Sequence, residues 1–140
     1  METMDCLPNP YLQSVSLTVG YMVEIKANLK SPYGNNPDFI VAFCSSTGEG
    51  GNIPFCFRYY NGRVVMNSFK DGQWQYEQGV SSDPFVPGQP FQLRFLVLEN
   101  EYQVFVNNKP ICQFAHRLPL QSVKMLDVRG DIVLTSVDML

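Results

Sequence analysis

The fold is decided by the stretch Ile53-Pro-Phe-Cys-Phe-Arg-Tyr-Tyr-Asn-Gly-Arg-Val-Val-Met-Asn-Ser-Phe69. In its first half, every second residue belongs to a set of apolar or aromatic residues. This two-residue period is typical of a β-strand with one buried face. The residues of the apolar set are Ile53, Phe55, Phe57 and Tyr59. Asn61-Gly62 follows directly and is the strongest short-range signal for a hairpin. We therefore expect Arg63–Phe69 to return as the partner strand.

The same pattern of short strands separated by turn residues continues in both directions from the hairpin. Residues rich in Pro, Gly and Asn predict loops at 32–37, 47–52 and 81–90, and a helical turn is expected at 118–122. No stretch keeps a helical period. The further predicted strands are Tyr11–Thr18, Tyr21–Leu29, Phe39–Cys44, Gln73–Gln78, Phe91–Val97, Tyr102–Val106, Ile111–Phe114, Val123–Val128 and Ile132–Val137. About eleven strands at this spacing predict an all-β sandwich, without fixing how the strands connect.

Composition limits the classes of protein and partner. The 140 residues suit one domain spanning 1–140, and 45% hydrophobic residues are enough for one core. A net charge of −3 gives no basic surface for nucleic acid. The segment Met1–Pro10 lacks the apolar run of a signal peptide, and no run approaches the ~20 residues of a membrane span. We therefore expect a cytosolic chain that does not insert into membranes.

The cysteines and the single histidine argue against a metal site or a cofactor. No two cysteines have Cys-x-x-Cys spacing, and His116 is the only histidine, so neither a zinc site nor another metal site is predicted. In a reducing compartment the cysteines are expected to be free thiols. They are Cys6, Cys44, Cys56 and Cys112. No cofactor motif is present. The sequence pairs no nucleophile with an activating base, so it does not predict an enzyme.

Two segments carry the signature of a known family. Val64-Val-Met-Asn-Ser68, Asp71-Gly-Gln-Trp74 and Glu77 resemble the galectin pattern V-x-N-S/T, a turn, then W-x-x-E. The second segment comprises Tyr102–Asn107, Phe114-x-His116-Arg117, Val123–Met125 and Gly130–Val137, and the start from Asn9 to Gly20 also fits. The chain is therefore similar to galectins over nearly its whole length, and most similar to the single-domain mammalian group.

The resemblance implies properties that the composition alone does not give. It implies a jelly-roll sandwich of two antiparallel sheets, with five and six strands, that binds β-galactosides. It also implies a location in the cytoplasm and the nucleus, with secretion that needs no signal peptide. Single-domain galectins cross-link glycans only when two sites are joined, so a homodimer is expected. His116 falls in a structural motif of the family and is expected to be a hydrogen-bonded structural residue.

Half of the family's sugar site is retained. Trp74 is expected to stack its ring on the apolar face of a galactose, and the Asn67 amide can both donate to and accept from hydroxyls. Glu77 can accept two hydroxyl hydrogen bonds when ionised. Trp74 and Glu77 are three residues apart, so a turn or bulge must separate them if they face one ligand. Gln75 stands where the family often has glycine.

The other half of the site differs from the family. Galectins usually read H-x-N-P-R on the strand before the hairpin, and aligning Phe55 and Phe57 places Cys56 at the His, Arg58 at the Asn and Tyr60 at the Arg. These three share one face by alternation. A register shifted by one residue is disfavoured because it would move the aromatics out of the core. Arg58 could bridge Glu77 and a sugar hydroxyl, and Arg63 is the second candidate for the family's arginine.

The predicted function is a carbohydrate-binding lectin for galactose-containing glycans and glycoproteins, with weak or shifted specificity. Trp74, Asn67, Glu77, Arg58, Cys56, Tyr60 and Arg63 are its predicted site. The alternative is a protein-interaction or structural protein that keeps a galectin scaffold but binds its partner independently of sugar.

Overall fold

The computed structural model describes residues 6–31, 36–46 and 51–140. Most of the two loops predicted at 32–37 and 47–52 lies outside these residues. The strands are β1 (Tyr11–Ser14), β2 (Met22–Leu29), β3 (Phe39–Cys44), β4 (Ile53–Tyr60), β5 (Arg63–Lys70), β6 (Gln73–Trp74), β7 (Gln78–Val80), β8 (Pro90–Val97), β9 (Glu101–Val106), β10 (Lys109–Ala115), β11 (Met125–Gly130) and β12 (Ile132–Met139). A 3-10 helix at Leu120–Ser122 falls in the predicted helical turn.

The strands form two antiparallel sheets, which confirms the all-β prediction. A five-stranded sheet has the order β10-β9-β8-β2-β12, and the other sheet has the order β1-β11-β3-β4-β5-β6. The short β7 also pairs with β5, so that β6 and β7 follow one another along the same side of β5. The strand predicted at Gln73–Gln78 is therefore two short strands, β6 and β7. Because these two lie end to end beside β5, the seven strands of this sheet form six rows.

The hairpin between β4 and β5 forms at the predicted residues. Tyr60 pairs with Arg63, and the turn residues Asn61 and Gly62 have φ angles of 52° and 72°. Positive φ at both positions is the type I′ geometry, whose twist fits two antiparallel strands. Two further hairpin turns use the same geometry, at Asp71-Gly72 and Asn107-Asn108. Asn, Asp and Gly tolerate this region of φ, and so these turns fix the registers of the strands beside them.

Aromatic side chains fill the space between the sheets. Phe55 is fully buried, and its ring stacks on Tyr102 and Phe114 with centroid separations of 4.5 and 4.7 Å. Phe43 and Phe95 complete the shell around it. Because β4 and β9 belong to different sheets, these contacts join the two layers of the sandwich. Alternation then places the neighbours of Phe55 on the opposite face of β4.

His116 follows β10, and its ring nitrogen Nε2 lies 2.9 Å from the carbonyl oxygen of Leu98. The ring also packs edge-on against Tyr102 at 4.6 Å. His116 therefore ties the end of β10 to the β8–β9 turn, in agreement with the structural role expected for it. None of the described helices is long and apolar enough to cross a membrane.

Candidate functional site

A groove with a cavity volume of about 360 Å³ lies on the face of the larger sheet that points away from the core. Three of its lining residues come from β4, two from β5 and one from β3, because alternate residues of these paired strands face outward together. Trp74 of β6 and Glu77, which precedes β7, form its remaining wall. The lining residues are Ile40, Cys56, Arg58, Tyr60, Val65, Asn67, Trp74 and Glu77.

Six of the seven residues predicted from the sequence line this groove, and Arg63 does not. Cys56 lies opposite Asn67 in the β4–β5 register, and Arg58 lies opposite Val65. The shared face of Cys56, Arg58 and Tyr60 follows the predicted alternation, with Phe57 and Tyr59 buried between them.

Trp74 is a surface residue rather than a core residue. It is 53% exposed, and Phe69 of β5 supports it from the side at a centroid distance of 5.1 Å with the rings 66° apart. Because Phe69 already restricts the motion of the Trp74 ring, stacking on a flat apolar surface costs little further conformational entropy. The geometry suits the apolar face of a sugar.

The chain leaves the strand between Trp74 and Glu77, which supplies the interruption that the three-residue spacing requires. The backbone N–H of Gln75 donates to the carbonyl of Ser68, 2.9 Å away. The Gln75 side-chain amide donates to the carbonyl of Gln73 at 3.0 Å. Gln75 therefore stabilises the turn where the family often has glycine, and Trp74 and Glu77 line one groove.

Asn67 holds a fixed orientation at the floor of the groove. Its side-chain oxygen Oδ1 accepts the backbone N–H of Ser68 at 2.7 Å and Nη1 of Arg117 at 3.1 Å. Glu77, by contrast, is exposed and makes no hydrogen bond or ion pair with any residue that the structure describes. The groove thus offers a free carboxylate beside an oriented amide.

Arg58 does not bridge to Glu77, contrary to the expectation from the sequence. Its Nε and Nη2 atoms donate to the two carboxylate oxygens of Asp38 at 3.0 and 2.7 Å. The guanidinium also lies over the Tyr60 ring, 4.3 Å from its centroid. The hydrogen bond to Asp38 is the main reason that the pKa of Arg58 is raised. Asp38 therefore takes two of the five N–H donors of Arg58, including Nε, and fixes the direction of the guanidinium.

Cys56, which is predicted at the position of the family's histidine, offers a weakly polar group. Its side chain is buried, and burial is the main cause that raises the pKa of the thiol to about 12, followed by its neighbour Cys44. A neutral thiol is a weak donor and a weak acceptor. This side of the groove therefore lacks a strong acceptor for a hydroxyl.

Arg63 lies on the same face of β5 but outside the groove. Its guanidinium lies directly over Gly79 of β7, where a side chain at that position would collide with it. Gly79 is next to Val65 in the register, so the arginine covers the sheet beyond the Val65 end of the groove. It cannot replace the family's arginine inside the groove without moving from this position.

Sequence reasoning missed four residues that shape the site: Ile40, Val65, Asp38 and Arg117. Ile40 and Val65 could have been found, because they lie on either side of Arg58 once the strands are paired. Asp38 and Arg117 reach the site from 20 and 50 residues away in sequence, and no local pattern signals either contact.

Comparison with known proteins identifies the family of this chain. A family model described as galactoside-binding lectin matches residues 10–139. The chain belongs to the galectin family. Human galectin-16 is 43% identical over 135 residues, covering 96% of this chain and 95% of that protein. The human galactoside-binding soluble lectin 13 is 41% identical over 135 residues, covering 96% of this chain and 97% of that protein.

Solved galectin structures share the fold. Sheep galectin-11 in complex with glycerol has 75% sequence identity and a TM-score of 0.93, and the match covers 96% of this chain and 99% of that one. A single-substitution variant of human galectin-16 is 41% identical with a TM-score of 0.92, covering 98% of this chain and 99% of that one. The predicted family and the predicted jelly-roll sandwich are thereby confirmed.

The four thiols of this galectin should differ sharply in reactivity. Burial raises the pKa of Cys44 to about 11 and those of Cys56 and Cys112 to about 12, whereas Cys6 is exposed. Since the thiolate is the nucleophile, we expect one fast-reacting thiol per native chain at pH 8, lost in Cys6→Ser. A chromogenic disulfide reagent would measure it, and two or more fast thiols would contradict it.

The same thiols give a pH dependence of stability. Because their pKa values are raised in the folded state, the unfolded chain ionises first, above about pH 8.5. The free energy of unfolding should therefore fall as the pH rises from about 8.5 to about 10. Urea unfolding under reducing conditions at several pH values would measure this, and a midpoint that stays constant over the range would contradict it.

Proposed function

We propose that this galectin binds galactose-containing glycans in the groove beneath Trp74. Compared with a galectin that has the complete His, Asn and Arg set, we propose that it binds simple β-galactosides more weakly or prefers different glycans. The observation that carries the proposal is the pairing of Arg58 with Asp38 beside an intact Asn67, Trp74 and Glu77. The retained residues supply a stacking surface, a donor and an acceptor. The buried, neutral Cys56 thiol is only a weak partner for a hydroxyl, and Arg58 has two of its five N–H donors held by Asp38.

Sugar hydroxyls are hydrogen-bonded to water before they bind, so a hydroxyl that finds no partner in the groove weakens the binding. A buried polar group left without a partner costs about 1–3 kcal/mol. A hydroxyl left unmatched beside Cys56 would therefore weaken binding by about one to two orders of magnitude. A glycan with further contacts outside the groove could recover part of this loss.

Calorimetric titration with lactose tests the proposal. We expect a dissociation constant of about 0.1 mM or weaker, and a value in the low micromolar range would contradict it. Asp38→Asn is the matched variant, because it removes the charge that holds Arg58 while keeping the shape of the side chain. If the pairing is what limits binding, this variant should bind lactose more tightly than the wild type.

The competing function is binding of a partner protein on the same scaffold, independent of sugar. A glycan array without signal, together with a partner recovered from a pull-down that lactose does not disrupt, would favour it over the lectin function. We also propose that the chain acts by binding rather than by catalysis.

We further propose that residues 1–140 form one carbohydrate-recognition domain and that the chain is a homodimer in solution. Among the described strands, β1, β6, β7, β10 and β12 each pair with another strand on one side only, and such edges are commonly paired or covered. Light scattering should give twice the monomer mass. By likeness to galectins, we propose cytoplasmic and nuclear pools with secretion that bypasses a signal peptide, which cell fractionation would test.

A further inference from the structure

Arg117 contacts the groove from behind, without lining it. It follows β10, and its guanidinium lies on the ring of Phe114 at 4.5 Å from the centroid. From there, Nη1 donates to Oδ1 of Asn67 at 3.1 Å and to the hydroxyl oxygen of Ser68 at 3.2 Å. Ser68 is completely buried, so one of these acceptors has no access to water. The arginine therefore joins the chain after β10 to the floor of the groove on β5.

The contact determines which end of the Asn67 amide faces the groove. An amide oxygen has two lone pairs, and here one accepts the backbone N–H of Ser68 at 2.7 Å while the other accepts Arg117. The reversed orientation would point the amide NH₂ at two donors, one of them a cation. The NH₂ group of Asn67 makes no hydrogen bond with any described residue, and it is left as a donor for a ligand.

We infer that Arg117 is a positioning residue that holds Asn67 as a hydrogen-bond donor toward the glycan. This inference rests on the proposed function of the groove. Asn67 then donates to a hydroxyl oxygen, while the free carboxylate of Glu77 accepts a hydroxyl proton beside it, next to the Met66–Gln78 pair of β5 and β7. The site selects a ligand that presents a hydroxyl oxygen as acceptor to Asn67 and a hydroxyl proton to the neighbouring Glu77. Without Arg117, the amide can rotate and the donor is no longer fixed.

Three variants separate this role from a general loss of charge or of folding. Arg117→Met removes the guanidinium and its donors and leaves an unbranched apolar side chain beside Phe114. Arg117→Lys keeps one charged donor group. Lys124→Met is the matched control for the lost positive charge, because Lys124 is exposed and its side chain bonds to no residue that the structure describes. Thermal unfolding of each variant establishes that it is folded.

Two measurements decide the inference. The first is the NMR signal of the Asn67 side-chain NH₂ in the ligand-free protein, assigned by its loss in Asn67→Asp. The second is the affinity for lactose from an NMR titration. For Arg117→Met we expect a shifted, faster-exchanging NH₂ signal and affinity about tenfold weaker, with a smaller change in Arg117→Lys and none in Lys124→Met.

An unchanged Asn67 NH₂ signal in Arg117→Met would overturn the inference, even if affinity fell together with stability, because Arg117 would then be merely structural. Unchanged affinity despite a shifted signal would overturn it too. If wild-type protein failed to bind lactose and every other galactoside, the proposed function would fail instead, and the NH₂ signal would still decide whether Arg117 orients Asn67.

Discussion

Replacing Trp74 by alanine is expected to abolish detectable glycan binding. Trp74 is the only tryptophan, and it is the larger and more exposed of the two aromatic residues that line the groove, since Arg58 lies over the ring of Tyr60. An aromatic ring of this kind buries roughly 150–250 Å² on binding, and at about 25 cal/mol per Å² even half of that area accounts for at least about 2 kcal/mol. A ligand already held weakly would then fall below detection. A glycan array and a lactose titration would measure the loss.

Tyr76→Ala provides the matched control for this prediction. Tyr76 lies two residues further on and is 84% exposed, but it is not part of the groove lining. Its removal should leave glycan binding within about twofold of the wild type. Glycan binding that survives Trp74→Ala, or that is lost equally in Tyr76→Ala, would show that the sugar binds elsewhere.

Replacing Phe55 by alanine should cause the largest loss of stability. Phe55 is fully buried and contacts Phe43, Phe95, Tyr102 and Phe114, and so it packs both sheets together. Truncating such a residue removes its transfer free energy and leaves a cavity, at a cost of about 3–5 kcal/mol. Urea unfolding should show a midpoint shifted to much lower denaturant with little change in slope.

Phe105→Ala is the control for the same chemical change outside the core. Phe105 lies on β9 between two buried residues and is itself only partly buried. We expect a loss below about 1 kcal/mol there. If Phe55→Ala cost no more than Phe105→Ala, the aromatic cluster would not be what joins the two layers.

Local patterns predicted the elements whose structure depends on local chemistry. The bounds of β3 and β4 agree with the prediction, because each strand has uninterrupted apolar alternation or a continuous apolar run between clear turn residues. The turn at Asn61-Gly62 agrees because these residues favour positive φ. The face shared by Cys56, Arg58 and Tyr60 follows from strand geometry alone.

The remaining features depend on contacts between distant parts of the chain. The strand predicted at Gln73–Gln78 is split because its register on β5 shifts by one residue between β6 and β7, which its own sequence does not indicate. Arg58 is held by Asp38 because the β3–β4 register brings the end of one strand beside the other. Asn67 is oriented by Arg117 from beyond β10. In each case the residue types were visible in the sequence but the pairing was not.

The central claim is that a galactoside binds weakly in the groove beneath Trp74, and a lactose titration followed by NMR tests it most directly. The single indole N–H of the chain gives one assignable signal. We predict that this signal moves in fast exchange and saturates only at millimolar lactose, together with backbone amides of β5 and of Glu77. An indole signal that stays in place while other amides saturate, or a spectrum unchanged at high lactose concentration, would contradict the claim.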